Sequence, residues 1–564
     1  MSSVEGLLLA AAAVIILGFI IHKIAPIVHA GGDESELPLS IPSIPWSIPI
    51  IKSTIPFVFS GAKFFHGASK FAKGRWPLRV EILNDEIYLV QGSKNITSIF
   101  THPGLTVTRA YGIVLEHCFG MEQKAVDVYV ADTSGSREKQ IPGSNLPSNH
   151  RVSYHTHEGL VDGLLGSGVD SIGQRIETTL RSALTEAVPE PNEWIYETDL
   201  TTFFEEHLGS AIIEGLFGPL LVSENLSFNQ TLWQYDKHVM TLAKRLPKWL
   251  IPEAYRLRDR LVQIILSCHE QATQLSQLVS HSGSCSGGDS HPYWGSVMMQ
   301  KRYKMLLGIA GQDSRSVAST DLAFIWAYVL FQGYSRAILH NFTNSISHIA
   351  RTVTNVVPST MTLCTHIFHD ETLLSEIRST VQQAIQPGSD LDFDYKKLTA
   401  IPLLSSMYAE TLRFGVQIHI PRCSPHQPLS VGGSQIPADK LILINTELAH
   451  TDSIIWSTRD GQYPLDTFWA RRFLVRSDDP NSGPINRSHV QLPLINFESK
   501  HQDLNGLDPS QEHFTLEGLV GSFIPYGSKL SGLFSRAEIF HSGIYVLRNT
   551  GRSKTTAICQ VTSC

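Results

Sequence analysis

Residues 409–413 read Ala-Glu-Thr-Leu-Arg, and residues 466–473 read Asp-Thr-Phe-Trp-Ala-Arg-Arg-Phe. These two stretches decide how the rest of the chain is read. The run from Ser405 to Arg413 has helical periodicity. On a helix, a three-residue spacing puts the Glu410 carboxylate and the Arg413 guanidinium on one face. Such a pair occurs on many helices and carries little by itself. Its surroundings give it weight: His450 in Leu-Ala-His-Thr-Asp, then Trp456, then Arg472 in the second stretch.

The chain around these stretches has 564 residues, 42% of them hydrophobic, with 25 Phe and 9 Trp, which is ample for a large core. Charged residues are 17%, below the roughly 25% of typical soluble proteins, which excludes a charge-rich disordered chain. The net charge of −7 argues against a general nucleic-acid binder, which would lean basic. The cysteines are Cys118, Cys268, Cys285, Cys364, Cys423, Cys559 and Cys564. They are odd in number, widely spaced and free of any C-x-x-C, which argues against both a disulfide framework and a zinc ribbon. A reducing compartment fits them best.

Residues 6–21, Gly-Leu-Leu-Leu-Ala-Ala-Ala-Ala-Val-Ile-Ile-Leu-Gly-Phe-Ile-Ile, hold no charge, and Lys23 follows. With the apolar residues after it, the run reaches the length of a membrane-spanning helix. The basic residue after the run predicts a luminal N-terminus and a body in the cytosol. The sequons at Asn95, Asn225, Asn229, Asn341 and Asn486 would be used only if the run were instead a secretory signal. Prolines 38, 42, 45, 49 and 56 make a stiff tether. The expected organisation is a transmembrane anchor over 1–30, a proline-rich hinge over 31–60 and one body over 61–564. The layout predicts a single-pass protein of the endoplasmic-reticulum membrane.

Within the body, residues 77–90 alternate apolar and polar side chains about Asn84-Asp85 and predict a β-hairpin. Helices are expected over 92–100, 169–187, 199–217, 255–275, 370–385 and 405–413. Residues 323–369 predict one long buried helix, kinked at Pro358. Residues 280–290 and 478–508 read as loops, and 429–448 as short strands and turns. The fold class is mainly α with a small β region.

In this setting the segment 466–473 resembles the D-x-F-x-P-x-R-F signature of cytochrome P-450 proteins, with Ala470 in the proline slot. In that family the helical Glu and Arg and the later Arg form a buried triad. The resemblance assigns that role to Glu410, Arg413 and Arg472. Residues 247–260 and 354–360 resemble the branch that includes sterol 7α-hydroxylases, prostacyclin synthase and many fungal relatives. That branch carries N-x-x-P in the long helix over the haem, which Asn355 and Pro358 match, with Thr360 nearby. Arg422 matches its propionate-binding arginine. The resemblance implies the cytochrome P-450 fold behind an N-terminal transmembrane helix.

One departure is decisive at this level. The family's iron-binding cysteine sits in a loop that begins here at Phe523 and Gly527. An ungapped match puts Leu533 in the cysteine slot, and a match anchored on Glu538-Ile539-Phe540 implies a loop shortened around it. Neither supplies a cysteine, so the body is expected to be altered after about residue 523. Thiolate donation favours O–O cleavage in this class. Its loss predicts no haem, no other cofactor and no metal. The expected activity is a haem-independent cyclisation, isomerisation or Diels–Alder-type cycloaddition on an apolar terpenoid or polyketide intermediate of fungal secondary metabolism. Arg422 is then the candidate catalytic residue, as a bidentate donor to a substrate carboxylate or carbonyl. The alternative is a haem b monooxygenase, served by a reductase and acting on a terpenoid or sterol-like substrate, whose C-terminal sequence is misread. A third reading is a non-catalytic scaffold partner.

His150, His155, His157 and Glu158 match no standard zinc spacing and read as a solvated loop. Gly163, Gly166 and Gly168 follow no expected strand, so they make no phosphate cradle. Asp478-Asp479 lacks the partner acid needed to hold magnesium for diphosphate ionisation. If residues 6–21 anchor the chain as expected, protease added to sealed microsomes digests the body. Protection of the body, with glycan on Asn225 or Asn341, is the opposite outcome.

Overall fold

A computed structural model gives the fold and describes residues 41–44, 53, 64–82, 85–164, 168–187, 199–243, 245–279, 290–328, 356–382, 398, 400–488 and 512–525. The hairpin forms as its alternation predicts. Strands Leu78–Ile82 and Asp85–Val90 pair antiparallel, with Leu78 opposite Leu89. Leu78, Val80, Ile87 and Leu89 bury one face against Phe64, Phe65, Ala68 and Ala72 of helix 64–72. Tyr88 and Val90 join the main core on the other side. The hairpin extends to four strands. Leu441–Asn445 runs parallel to Asp85–Val90, and His419–Cys423 runs antiparallel to Leu441–Asn445. Ile442, Leu443 and Ile444 are all buried, because this inner strand is covered on both faces.

Helices make up most of the rest. The helix expected over 199–217 forms as Leu200–Phe204, one π turn at Glu205–Gly209, and Ser210–Phe217. Asn229 lies under that turn and donates from Nδ2 to Glu205 O at 2.8 Å and to Ser210 Oγ at 2.9 Å. A sequon asparagine spent inside the core is not a glycan acceptor. The helix ends at Gly218, which touches Gly295 backbone to backbone. A Cβ on Gly295 would collide with the Gly218 backbone, so the two glycines permit this crossing. Pro252–Val279 and Pro402–Gly415 each begin on a proline, whose missing N–H is unneeded in a first turn.

Arg302, Asp321 and His269 tie three helices together: Val297–Leu307, Ser314–Tyr328 and Pro252–Val279. Arg302 Nε donates to Asp321 Oδ1 at 2.9 Å, and His269 Nε2 lies 3.1 Å from Asp321 Oδ2. Burial alone would raise the Asp321 carboxyl. The Arg302 guanidinium, with His269 beside it, outweighs burial and holds the carboxyl below its ordinary value.

Several expectations change. The described parts of the long helix are two helices, Ser314–Tyr328 and Val356–His369, with 329–355 outside the described residues. Pro358 lies two residues into the described part of the second helix, and the chain before Val356, on which the expected kink depends, lies outside the described residues. His155, His157 and Glu158 lie on helix Val152–Leu164 rather than in a loop. Val152 is buried at its start, and the helix packs along Val297–Leu307, which polar composition alone did not reveal. Helices Thr108–His117, Gln123–Ala131, Phe228–Leu242 and Val297–Leu307 were not anticipated. Among the described residues no helix is long and apolar enough to cross a membrane. The expected anchor over 1–30 lies outside them, as does most of the hinge.

Burial pushes the Glu205 carboxyl up to about 7. The folded chain therefore holds a proton between about pH 4.5 and 7 that the unfolded chain releases, and this lowers stability as pH rises through that window. Glu205→Gln keeps the shape without the charge. Its melting temperature should match wild type at pH 5 and exceed it at pH 7.5. Parallel curves in thermal scans would contradict this assignment.

Candidate active site

Residues 409–413 and 466–473 meet in the core. Pro402–Gly415 is buried on almost every face, and Glu410, Arg413 and Arg472 have fully buried side chains. Arg413 grips Glu410 as a fork, Nε to Oε2 at 2.7 Å and Nη2 to Oε1 at 2.9 Å. Arg472 Nε donates to both oxygens, at 3.0 and 3.1 Å, and the Trp469 backbone N–H adds a donor at 3.0 Å. The carboxylate is thus saturated. Two cations face one anion, so the remaining N–H groups need other acceptors. Arg413 donates to His450 O and Leu465 O, and Arg472 to Ser457 O and Pro464 O. Burial pushes the Arg472 guanidinium below its ordinary value, against the pull of Glu410. The ionic centre thereby stitches the irregular segment 450–473 onto the helix.

Aromatic side chains close around it. Trp469 stacks on Tyr463, with ring centres 4.2 Å apart, and the Arg472 guanidinium lies 5.3 Å from its ring centre. Trp456 donates from Nε1 to Ala449 O at 2.8 Å and packs edge-on against Phe473 and Phe523. Phe523, expected to open the metal-ligating loop, therefore sits against the ionic centre. Gly527 and Leu533 lie outside the described residues.

His450 links the two regions. Its Nδ1 donates to Arg413 O at 3.2 Å, and its Nε2 accepts from the Ile524 N–H at 3.1 Å. Burial and the nearby Arg413 lower its pKa to about 3, so the ring is neutral. In the sequence His450 is legible only as a signpost, because its partners are tens of residues away. Asn445 places it by capping the short helix Thr446–His450, accepting from Leu448 N at 2.9 Å.

Arg422 lies on strand His419–Cys423, with its guanidinium 5.1 Å from the Phe100 ring centre, and donates to Pro421 O at 2.7 Å. Burial lowers its pKa, opposed by neighbouring Tyr111. Thr360 is fully buried, and its hydroxyl has no hydrogen-bond partner among the described residues. Pro358 lies two residues before it, and Asn355 falls just outside the described residues. The expected grouping of Asn355, Pro358 and Thr360 is thus only partly placed. A separate cavity of about 20 Å3, room for one water, lies beside His269, Trp294 and Asp321. No group of three metal-binding side chains occurs among the described residues.

Removing one member of a buried ionic centre leaves its partners' charge uncompensated, at a cost of roughly 3–5 kcal/mol. Glu410→Ala should abolish soluble folded protein. A melting temperature equal to wild type would show that the centre is dispensable.

A family model described as "Cytochrome P450" matches residues 348–465. Cytochrome P450 monooxygenase fsoE of Humicola fuscoatra is 27% identical over 466 residues, covering 80% of this chain and 71% of that one. Cytochrome P450 monooxygenase efuG of Hormonema carpetanum is 25% identical over 465 residues, covering 80% and 72%. The solved cytochrome P450DA heme domain superposes with a TM-score of 0.52 at 13% identity, over 90% of each chain. These findings weigh against the expectation of no cofactor: the relatives are cytochrome P450 monooxygenases, and the solved neighbour of this fold is a heme domain. Nor do the relatives support a haem-independent cyclase, because those named are monooxygenases. With Glu410 saturated between two arginines, the chain has the cytochrome P450 fold and is similar to cytochrome P450 monooxygenases over 80% of its length.

Proposed function

We propose that the protein is a monooxygenase of fungal secondary metabolism, acting on an apolar terpenoid or sterol-like substrate. The observation that carries this reading is the length of the match: monooxygenases align with 80% of the chain. The intact ionic centre and the Phe523–Ile524 turn docked on it support it further. In this reading residues 6–21 anchor the chain in the endoplasmic-reticulum membrane, the body faces the cytosol, and a reductase supplies electrons. The likeness of 247–260 and 354–360 to the sterol 7α-hydroxylase and prostacyclin synthase branch belongs to the same reading.

Haem is the group that the family implies. Arg422 offers a half-buried cation suited to a propionate. The axial side does not fit. No cysteine lies between Cys423 and Cys559. Cys118, Cys268, Cys364 and Cys423 are buried elsewhere, and burial pushes their thiols up to about 12, 11, 12 and 11. A thiol held that high is not a ready thiolate. Among the described residues, therefore, no cysteine makes a thiolate-bound haem site. The monooxygenase reading requires a transcript that restores a cysteine after Gly527.

Sequencing cDNA across codons 523–540 tests this first. The expected product encodes a cysteine, and the protein made from it shows the thiolate signature in its carbon monoxide difference spectrum and needs reductase and oxygen for turnover. If every transcript matches the present sequence and turnover proceeds without reductase or oxygen, the reading fails.

A further inference from the structure

We infer that His450 is a positioning residue that latches the turn at residues 519–525 onto the Glu410–Arg413–Arg472 centre. Three observations carry this beyond the monooxygenase reading, and none depends on a bound group. First, the two ring nitrogens have opposite duties. Arg413 O can only accept, so Nδ1 must carry the proton. The Ile524 N–H can only donate, so Nε2 must be bare. Both partners are satisfied by one neutral tautomer, and by that tautomer alone. A protonated ring would point a donor at a donor.

Second, the ring is held where this exchange requires it. Trp456 meets it edge-on, at 6.5 Å between centres, and Phe523 lies 5.7 Å away on a tilted plane. The side chain is fully buried. The Asn445 cap fixes the turn of helix that carries it.

Third, the turn has a matching architecture. Ser522 and Phe523 both donate their backbone N–H to Leu519 O, at 2.9 and 2.8 Å, which closes the turn on itself. The next amide, Ile524, has no acceptor within the turn and is aimed at His450. Ile524 is buried, so its N–H would be costly to leave unmet. Arg413 takes part at both ends of the relay: its side chain grips Glu410 and its carbonyl accepts from His450. The imidazole therefore transmits the position of the ionic centre to the backbone that leads into residue 526.

Hydrogen exchange read by mass spectrometry on the full-length, detergent-solubilised protein tests the latch. In His450→Phe the amides of 519–525 should exchange about five-fold faster than in wild type, the factor expected for one lost hydrogen bond. Peptides over 405–415 and 470–475 should keep wild-type rates. His450→Gln should restore protection, because its carboxamide offers a donor for Arg413 O and an acceptor for the Ile524 N–H. Unchanged exchange at 519–525 in His450→Phe would overturn the inference. So would equal acceleration in all three regions, which is what an ordinary core residue produces. Should His450→Phe fail to fold, the wild-type chain decides. Selectively 15N-labelled histidine should show a non-titrating, neutral Nδ1–H tautomer at pH 6–8, and an Nε2–H tautomer or a titrating ring sinks the latch.

Discussion

The structure turns on one carboxylate without solvent. Glu410 is fully buried, and an anion in that position is tolerable only if every lone pair is met. Two guanidiniums and one backbone N–H do this, and the geometry leaves little freedom. Arg413 comes from the same helix, one turn on, and Arg472 arrives from the far end of an irregular stretch. The second cation has no second anion, so its remaining N–H groups bind carbonyls of residues 457–467. Regular secondary structure is scarce between 451 and 473, and the charged centre supplies the order that a ladder or helix would give elsewhere.

From that centre the order spreads by hydrogen bonds rather than by apolar packing alone. His450 passes it to Ile524, and Phe473 N donates to Ser406 Oγ at 3.1 Å, which docks the segment a second time. Trp456, Phe473 and Phe523 then exclude water from the group. Exclusion strengthens each charge-assisted bond and makes the loss of any one more costly. The same logic operates at Asp321, where one buried acid binds a guanidinium and an imidazole from two neighbouring helices.

The preserved scaffold and the altered loop pull in different directions. From the sequence alone, the absent cysteine predicts that the cofactor has gone. The relatives and the fold weigh against that conclusion, because cytochrome P450 monooxygenases match over most of the chain and the solved neighbour is a heme domain. A local change in one loop says little about a scaffold whose stabilising interactions lie in other elements. The described part of that loop, through Pro525, still rests on the ionic centre that the family resemblance predicted.

The sequence by itself determined the helix-rich class, the hairpin at 78–90, the helix carrying Glu410 and Arg413, and the identity of Arg472 as their partner. Those features depend on short-range periodicity or on a spaced signature that is readable in one dimension. The tertiary structure alone decided the rest. It turned the histidine-rich segment 152–164 into a helix, spent Asn229 on a π turn, and gave His450 two backbone partners. It also paired Asp321 with Arg302 and His269. The physical reason is common to all of these. Each is a buried polar group or backbone break whose partner lies on another element, and a polar group's partner is chosen by proximity in the folded core, which local sequence does not encode.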